Sequence, residues 1–154
     1  MSGSLQEFEN SPYFWRFFVI AFPLLFLAIW SFVLWITARM SGWNVLARLY
    51  PYSGEEALKW QHRGGGGVYR AHLPFAGMRG RLAVGATKTG IIIKPPFILR
   101  PFHPAFFLPF DKIVAEEPLT ILSFDFVLLT MQDAPDLRIG ILTSAREMAE
   151  AARQ

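Results

Sequence analysis

The sequence predicts one N-terminal transmembrane α-helix followed by a mostly-β soluble domain that ends in a helix, and three observations carry that reading. The first is Phe17 to Thr37, FFVIAFPLLFLAIWSFVLWIT, a run without a single charge. At about 1.5 Å per helical residue it spans roughly 31 Å, the thickness of a bilayer's hydrocarbon core. The second is a series of short apolar runs after Ala57, separated by Gly, Pro and Asp turn signals. The third is the segment from Ser144 onward, where Glu147 stands three residues after a capping hydroxyl and Met148, Ala149 and Ala152 offer one apolar face.

Composition narrows the chemistry. A chain of 154 residues leaves room beyond the helix for one small domain with its own core. Cysteine is absent, which removes disulfides, thiolate catalysis and cysteine-based metal sites. His62, His72 and His103 are too scattered for a helical metal pair. Net charge is +3, but its distribution says more. Ala57 to Phe110 holds eight Lys or Arg and no acid, whereas Asp111 to the end holds eight acids against four bases. The soluble part is basic first and acidic second.

In order, residues 1–16 read as a polar tail, 17–38 as the transmembrane helix, 39–56 as an amphipathic linker helix and 57–154 as the β domain. Tyr13, Phe14 and Trp15 are placed like an interfacial aromatic belt. Glu7 and Glu9 replace the basic run of a cleavable leader, so an uncleaved signal anchor is expected. Phe14, Phe18, Phe22, Phe26 and Trp30 recur every fourth residue and form a slowly winding ridge. Such a ridge serves as a contact for neighbouring helices, or for pigment, quinone or lipid held by a larger complex. Alternatively it reflects only the welcome that lipid gives to large apolar side chains. Pro23 is a potential kink, and no pair of small residues at four-residue spacing supports a tight homodimer. Arg39 and Arg48 follow the helix, which favours an N-terminus outside and a cytoplasmic domain at the inner membrane.

Trp43, Leu46, Ala47 and Tyr50 share one helical face before Pro51, as expected of a short helix lying at the interface or packing on the domain. The surrounding SGW..LA..Y pattern resembles one in uncharacterised bacterial single-pass membrane proteins. Strands are then expected at Ala57–His62 and Val68–Leu73, joined by a flexible hairpin loop over Gly64–Gly67. A phosphate-loop reading of that glycine run lacks the Gly-Lys-Ser/Thr and the following helix. Further strands are expected at Arg79–Ala86 and Gly90–Lys94, around a Thr87–Gly90 hairpin in which Gly90 supplies a positive φ.

Lys94 to Phe110, KPPFILRPFHPAFFLPF, carries five prolines and five phenylalanines beside Lys94, Arg100 and His103. Proline restricts pairing to edges, which predicts a projecting loop before a strand at Phe106–Phe110. Its rings, Phe102 and Phe106 among them, either meet headgroups or a partner, or fill the domain's own core. Leu108-Pro109-Phe110-Asp111-Lys112-Ile113 resembles an element of bacterial pleckstrin-homology-like (PH-like) and GRAM-like domains. Strands at Leu119–Phe124, Phe126–Met131 and Leu137–Leu142, with a turn over Gln132–Asp136, complete about seven strands before the terminal helix. That order resembles a PH-like barrel over residues 41–154.

No catalytic residue, metal ligand or cofactor of the protein's own is expected, because no nucleophile elbow, metal spacing or nucleotide fingerprint is present. Nucleic acid is not an expected partner. The expected function is that of a non-enzymatic accessory or scaffold subunit of a larger membrane complex, photosynthetic or respiratory, with other integral membrane subunits as partners. The alternative, implied by the resemblance, is a membrane-anchored module for anionic headgroups or peptides. For that reading the contact residues are Lys59, Arg63, Arg79, Arg81, Lys88, Arg100, Phe102 and Phe106.

Overall fold

The computed structural model describes residues 12–154, with the side chains of 12–14, 63, 64 and 73–79 left out. Met1 to Ser11 of the expected tail lie outside the described residues. The chain divides into two units, one ending at Trp35 and one running Ile36–Gln154.

Helix α1 (Pro12–Met40) continues unbroken through Pro23. Within it, Trp15–Met40 is long and apolar enough to cross a membrane. Phe18 stacks on Phe22 at 5.3 Å and Phe26 on Trp30 at 6.1 Å, all four side chains being exposed. Two stacked pairs therefore lie along the four-residue spacing read from the sequence. The Phe14 side chain lies outside the described residues.

In the second unit a short helix α2 (Trp43–Leu49) follows Gly42, which has φ 83°. Only glycine takes that left-handed turn without strain, and a Cβ there would also strike the Leu137 side chain. Trp43 and Leu46 are fully buried, so α2 packs on the domain. Trp43 Nε1 donates to the Pro104 carbonyl at 2.8 Å, and its ring meets Phe106 edge-on at 4.9 Å.

Seven antiparallel strands follow: β1 (Lys59–Arg70), β2 (Leu73–Ala86), β3 (Gly90–Lys94), β4 (Phe106–Pro109), β5 (Ile113–Ile121), β6 (Phe124–Met131) and β7 (Ala134–Leu142). They form one sheet in the order β4-β3-β2-β1-β7-β6-β5. Helix α3 (Thr143–Arg153) buries Ala145, Ala149 and Ala152 in a cluster with Ile91, Ile93 and Phe106 from one flank and Leu129, Met131 and Ile139 from the other. Only a sheet bent back on itself brings both flanks to one helix. The expected order of elements is thus present: a long apolar helix, then seven antiparallel strands and a closing helix.

Several local expectations are corrected. Gly64–Gly67 is not a hairpin loop but the middle of β1, and the two strands expected on either side of it are one. Gly66 and Gly67 pair with β2 on one side and with Ile141 and Gly140 of β7 on the other. A Cβ at Gly66 would stand 2.7 Å from the Gly140 carbonyl oxygen and 2.9 Å from the Leu82 side chain, so only glycine fits between β7 and Leu82 there. The turn itself falls at Ala71–His72. Gly90 has no positive φ; the Thr87–Gly90 hairpin is held instead by Thr87 Oγ1, which accepts from the Gly90 and Thr89 amides at 2.9 and 3.2 Å.

The strand expected at Leu119–Phe124 is instead β5, ending at Ile121, and Phe124 opens β6. Leu122 and Ser123 between them have φ 45° and 70°, the mirror-image two-residue turn, made here without the glycine or asparagine that usually signals it. The turn over Gln132–Asp136 is tighter than expected, since Ala134 already pairs with Met131. Ser144 is not the cap of α3, which starts at Thr143; its hydroxyl accepts from Gln61 Nε2 at 2.9 Å.

Candidate functional site

The predicted contact residues do not form one cluster. Lys59 pairs across from Ala86 and Lys88 lies in the next turn, so these exposed bases share one end of the β1–β2 pair. Arg81 stands opposite Gly65, six residues along β1 from Lys59 and so roughly 20 Å away at strand rise. Arg63 and Arg79 belong to β1 and β2, but their side chains lie outside the described residues. Lys94 is occupied internally: its Nζ sits 4.2 Å from the Tyr52 ring centroid, 4.7 Å from that of Trp60 and 3.1 Å from the Tyr52 hydroxyl.

The proline-rich stretch does project, through residues other than those named. Phe106 is fully buried against Trp43, which corrects its assignment as a surface contact, and Phe102 is half-buried. The projecting side chains are Phe97, 82 % exposed, and Ile98, 61 % exposed. They stand on a 3-10 turn, Phe97–Leu99, entered from Pro95-Pro96. Arg100 is exposed beside them, its guanidinium 5.9 Å from the Phe97 ring centroid. The double proline was the available signal, because it forces the chain outward before the first ring.

The base of this projection is rigid. Leu99 packs on the core, and its carbonyl accepts from the Phe102 and His103 amides at 3.2 and 3.0 Å. His103 is fully buried, edge-on to Trp43 at 5.4 Å, with neither ring nitrogen hydrogen-bonded among the described residues. Burial lowers its pKa, so the ring is held neutral. Near the same end, Tyr50 donates its hydroxyl to Asp133 Oδ2 at 2.8 Å, and burial, then that bond, push its pKa up to about 12.

A second feature lies on the opposite, outer side of the sheet. Phe126, Leu128, Leu119 and Ile121 wall a groove of about 470 Å³ floored by Gly65, Gly67 and Gly140, with Tyr69 and Arg81 also lining it. An added Cβ at Gly65 would touch Phe126 at 3.4 Å, and one at Gly140 would touch Leu128 at 3.4 Å. The floor is therefore open because side chains are missing from it. No sequence pattern announced the groove, since its walls come from strands that meet only in the folded sheet.

Among the described residues no group of three His, Asp or Glu side chains is placed to hold a metal ion. No family model matches the chain, and no curated protein matches it. Among solved structures, it is similar to the Vps36 N-terminal PH domain, with a TM-score of 0.44 and 14% identity over 66% of this chain and 79% of that one.

Proposed function

We propose that the chain is a single-pass membrane protein of the inner membrane whose cytoplasmic PH-like domain is a non-catalytic module that docks on anionic lipid. The observation that carries this reading is the turn at Phe97 and Ile98: two exposed apolar side chains beside an exposed guanidinium, on a rigid base. Water disfavours that arrangement, whereas a headgroup region accommodates rings and a cation together. Helix α1 supplies the tether, and Lys59, Lys88 and Arg81 add long-range attraction to the surface.

The absence of cysteine makes a direct test simple. Ile98→Cys in the full chain, spin-labelled and reconstituted, should become accessible to oxygen in vesicles containing phosphatidylglycerol and lose that accessibility in high salt. An identical signal in pure phosphatidylcholine would count against a preference for anionic lipid, and no signal in either vesicle would count against docking itself.

The aromatic stacks on α1 support a second reading, an accessory subunit whose ridge packs among helices of a larger, energy-transducing assembly. Purification from its native membrane in mild detergent distinguishes the two. Migration as a lone 17.5 kDa species opposes the subunit reading.

A further inference from the structure

The turn between β5 and β6 is unfavourable twice over. Leu122 occupies the left-handed region, which strains a non-glycine residue, and it is also 89 % exposed. Phe124, the next residue but one, is 62 % exposed. Asparagine or glycine would serve this turn better and would suit water better. A leucine here makes sense in apolar surroundings, and strain retained at an exposed apolar tip points to function.

Ile121 belongs both to this tip and to the groove, so the exposed tip runs into the apolar channel between Phe126, Leu128 and Leu119. The groove's volume lies within the range of small-molecule sites, roughly 300–1,000 Å³. Its one charged lining residue is Arg81, exposed and with no ion-pair partner among the described residues. The acid of β5 on that face, Glu117, pairs across from Leu128, on the far side of Leu119 from the tip. An occupant with a long apolar body and one negative charge fits this lining.

We infer that the β5–β6 tip enters the membrane and that the groove receives an acyl chain of an anionic membrane lipid, whose head pairs with Arg81. The inference rests on the membrane tether proposed above, which keeps lipid at high local concentration around the domain. It uses a different surface from the Phe97–Ile98 turn.

The test is photolabelling of the full-length protein in phosphatidylcholine vesicles that contain phosphatidylglycerol with a diazirine in its acyl chain. Label is expected in two segments, α1 and 119–128. In Leu122→Asn the label on 119–128 should fall about tenfold, the ratio for losing roughly one leucine's burial, while α1 is labelled as before. Arg81→Glu should lower labelling of 119–128 by the phosphatidylglycerol probe but not by a phosphatidylcholine probe of the same chain. Leu122→Asn should melt at the same or a higher temperature, because asparagine suits the turn, and so remains informative.

Label confined to α1, or unchanged on 119–128 in Leu122→Asn, overturns the inference. So does labelling of 119–128 by a free diazirine fatty acid but not by the phospholipid. An unlabelled 119–128 segment in a protein that sediments as a dimer, and as a monomer after Leu122→Asn, assigns the surface to a second copy and also overturns it. Absence of label from α1 is a separate result that removes the membrane tether itself.

Discussion

Gly42 concentrates two constraints in one residue. Its φ of 83° and the Leu137 side chain standing where a Cβ would go mean that Gly42→Ala meets backbone strain and a clash together. The expected cost is about 2 kcal/mol, read as a lower denaturant midpoint of the domain with an unchanged slope. His103 makes a pH-dependent prediction. Its folded pKa is depressed below the usual value near 6.5, so the unfolded chain binds the extra proton first as pH falls. This contribution is fully present above about pH 6.5 and is lost as pH drops toward the lower folded value. Melting temperature should therefore decline between about pH 7 and 5, and His103→Leu should flatten that decline.

At the scale of elements, α3 is held to the edge of the sheet by Arg146. Its guanidinium donates from Nε and Nη2 to Glu116 on β5, both to Oε1, at 3.0 and 2.7 Å, and from Nη1 to Glu150 at 2.7 Å. It also lies 5.7 Å from the Phe110 ring centroid. The Glu150 carboxyl is lowered by this hydrogen bond. Because Glu116 is partly exposed, Arg146→Ala should cost only about 1 kcal/mol in global stability. Hydrogen exchange should report it more sharply, as faster exchange confined to α3 and β5. The alanine face of α3 was legible from its spacing, whereas this clasp was not: Glu116 and Arg146 are thirty residues apart in the chain, and only the folded sheet brings the two side chains within reach of each other.

For the whole molecule, the tether reading makes a quantitative claim about α1. Leu27→Arg places a charge near the middle of the run, at a cost of roughly 2.5–3.5 kcal/mol for insertion. Carbonate extraction should release a larger share of this variant than of the parent chain, while an equally exposed domain substitution such as Lys88→Glu leaves extraction unchanged. Equal extraction of all three would show that α1 does not hold the chain in the bilayer.

The sequence by itself determined the long apolar helix, the four-residue aromatic spacing along it, the mostly-β character of the domain and the closing helix. These depend on composition and short-range period, which a chain carries whatever its partners in space. Tertiary structure decided where the glycine run goes, because Gly66 is a strand residue only when Gly140 and Leu82 press on it from two sides. It also sent Phe106 inward and left Phe97 outside, although the two are equally apolar, since Trp43 reaches only the first. The groove is likewise a product of packing: its residues come from distant strands, and no local pattern of side chains encodes a space between them.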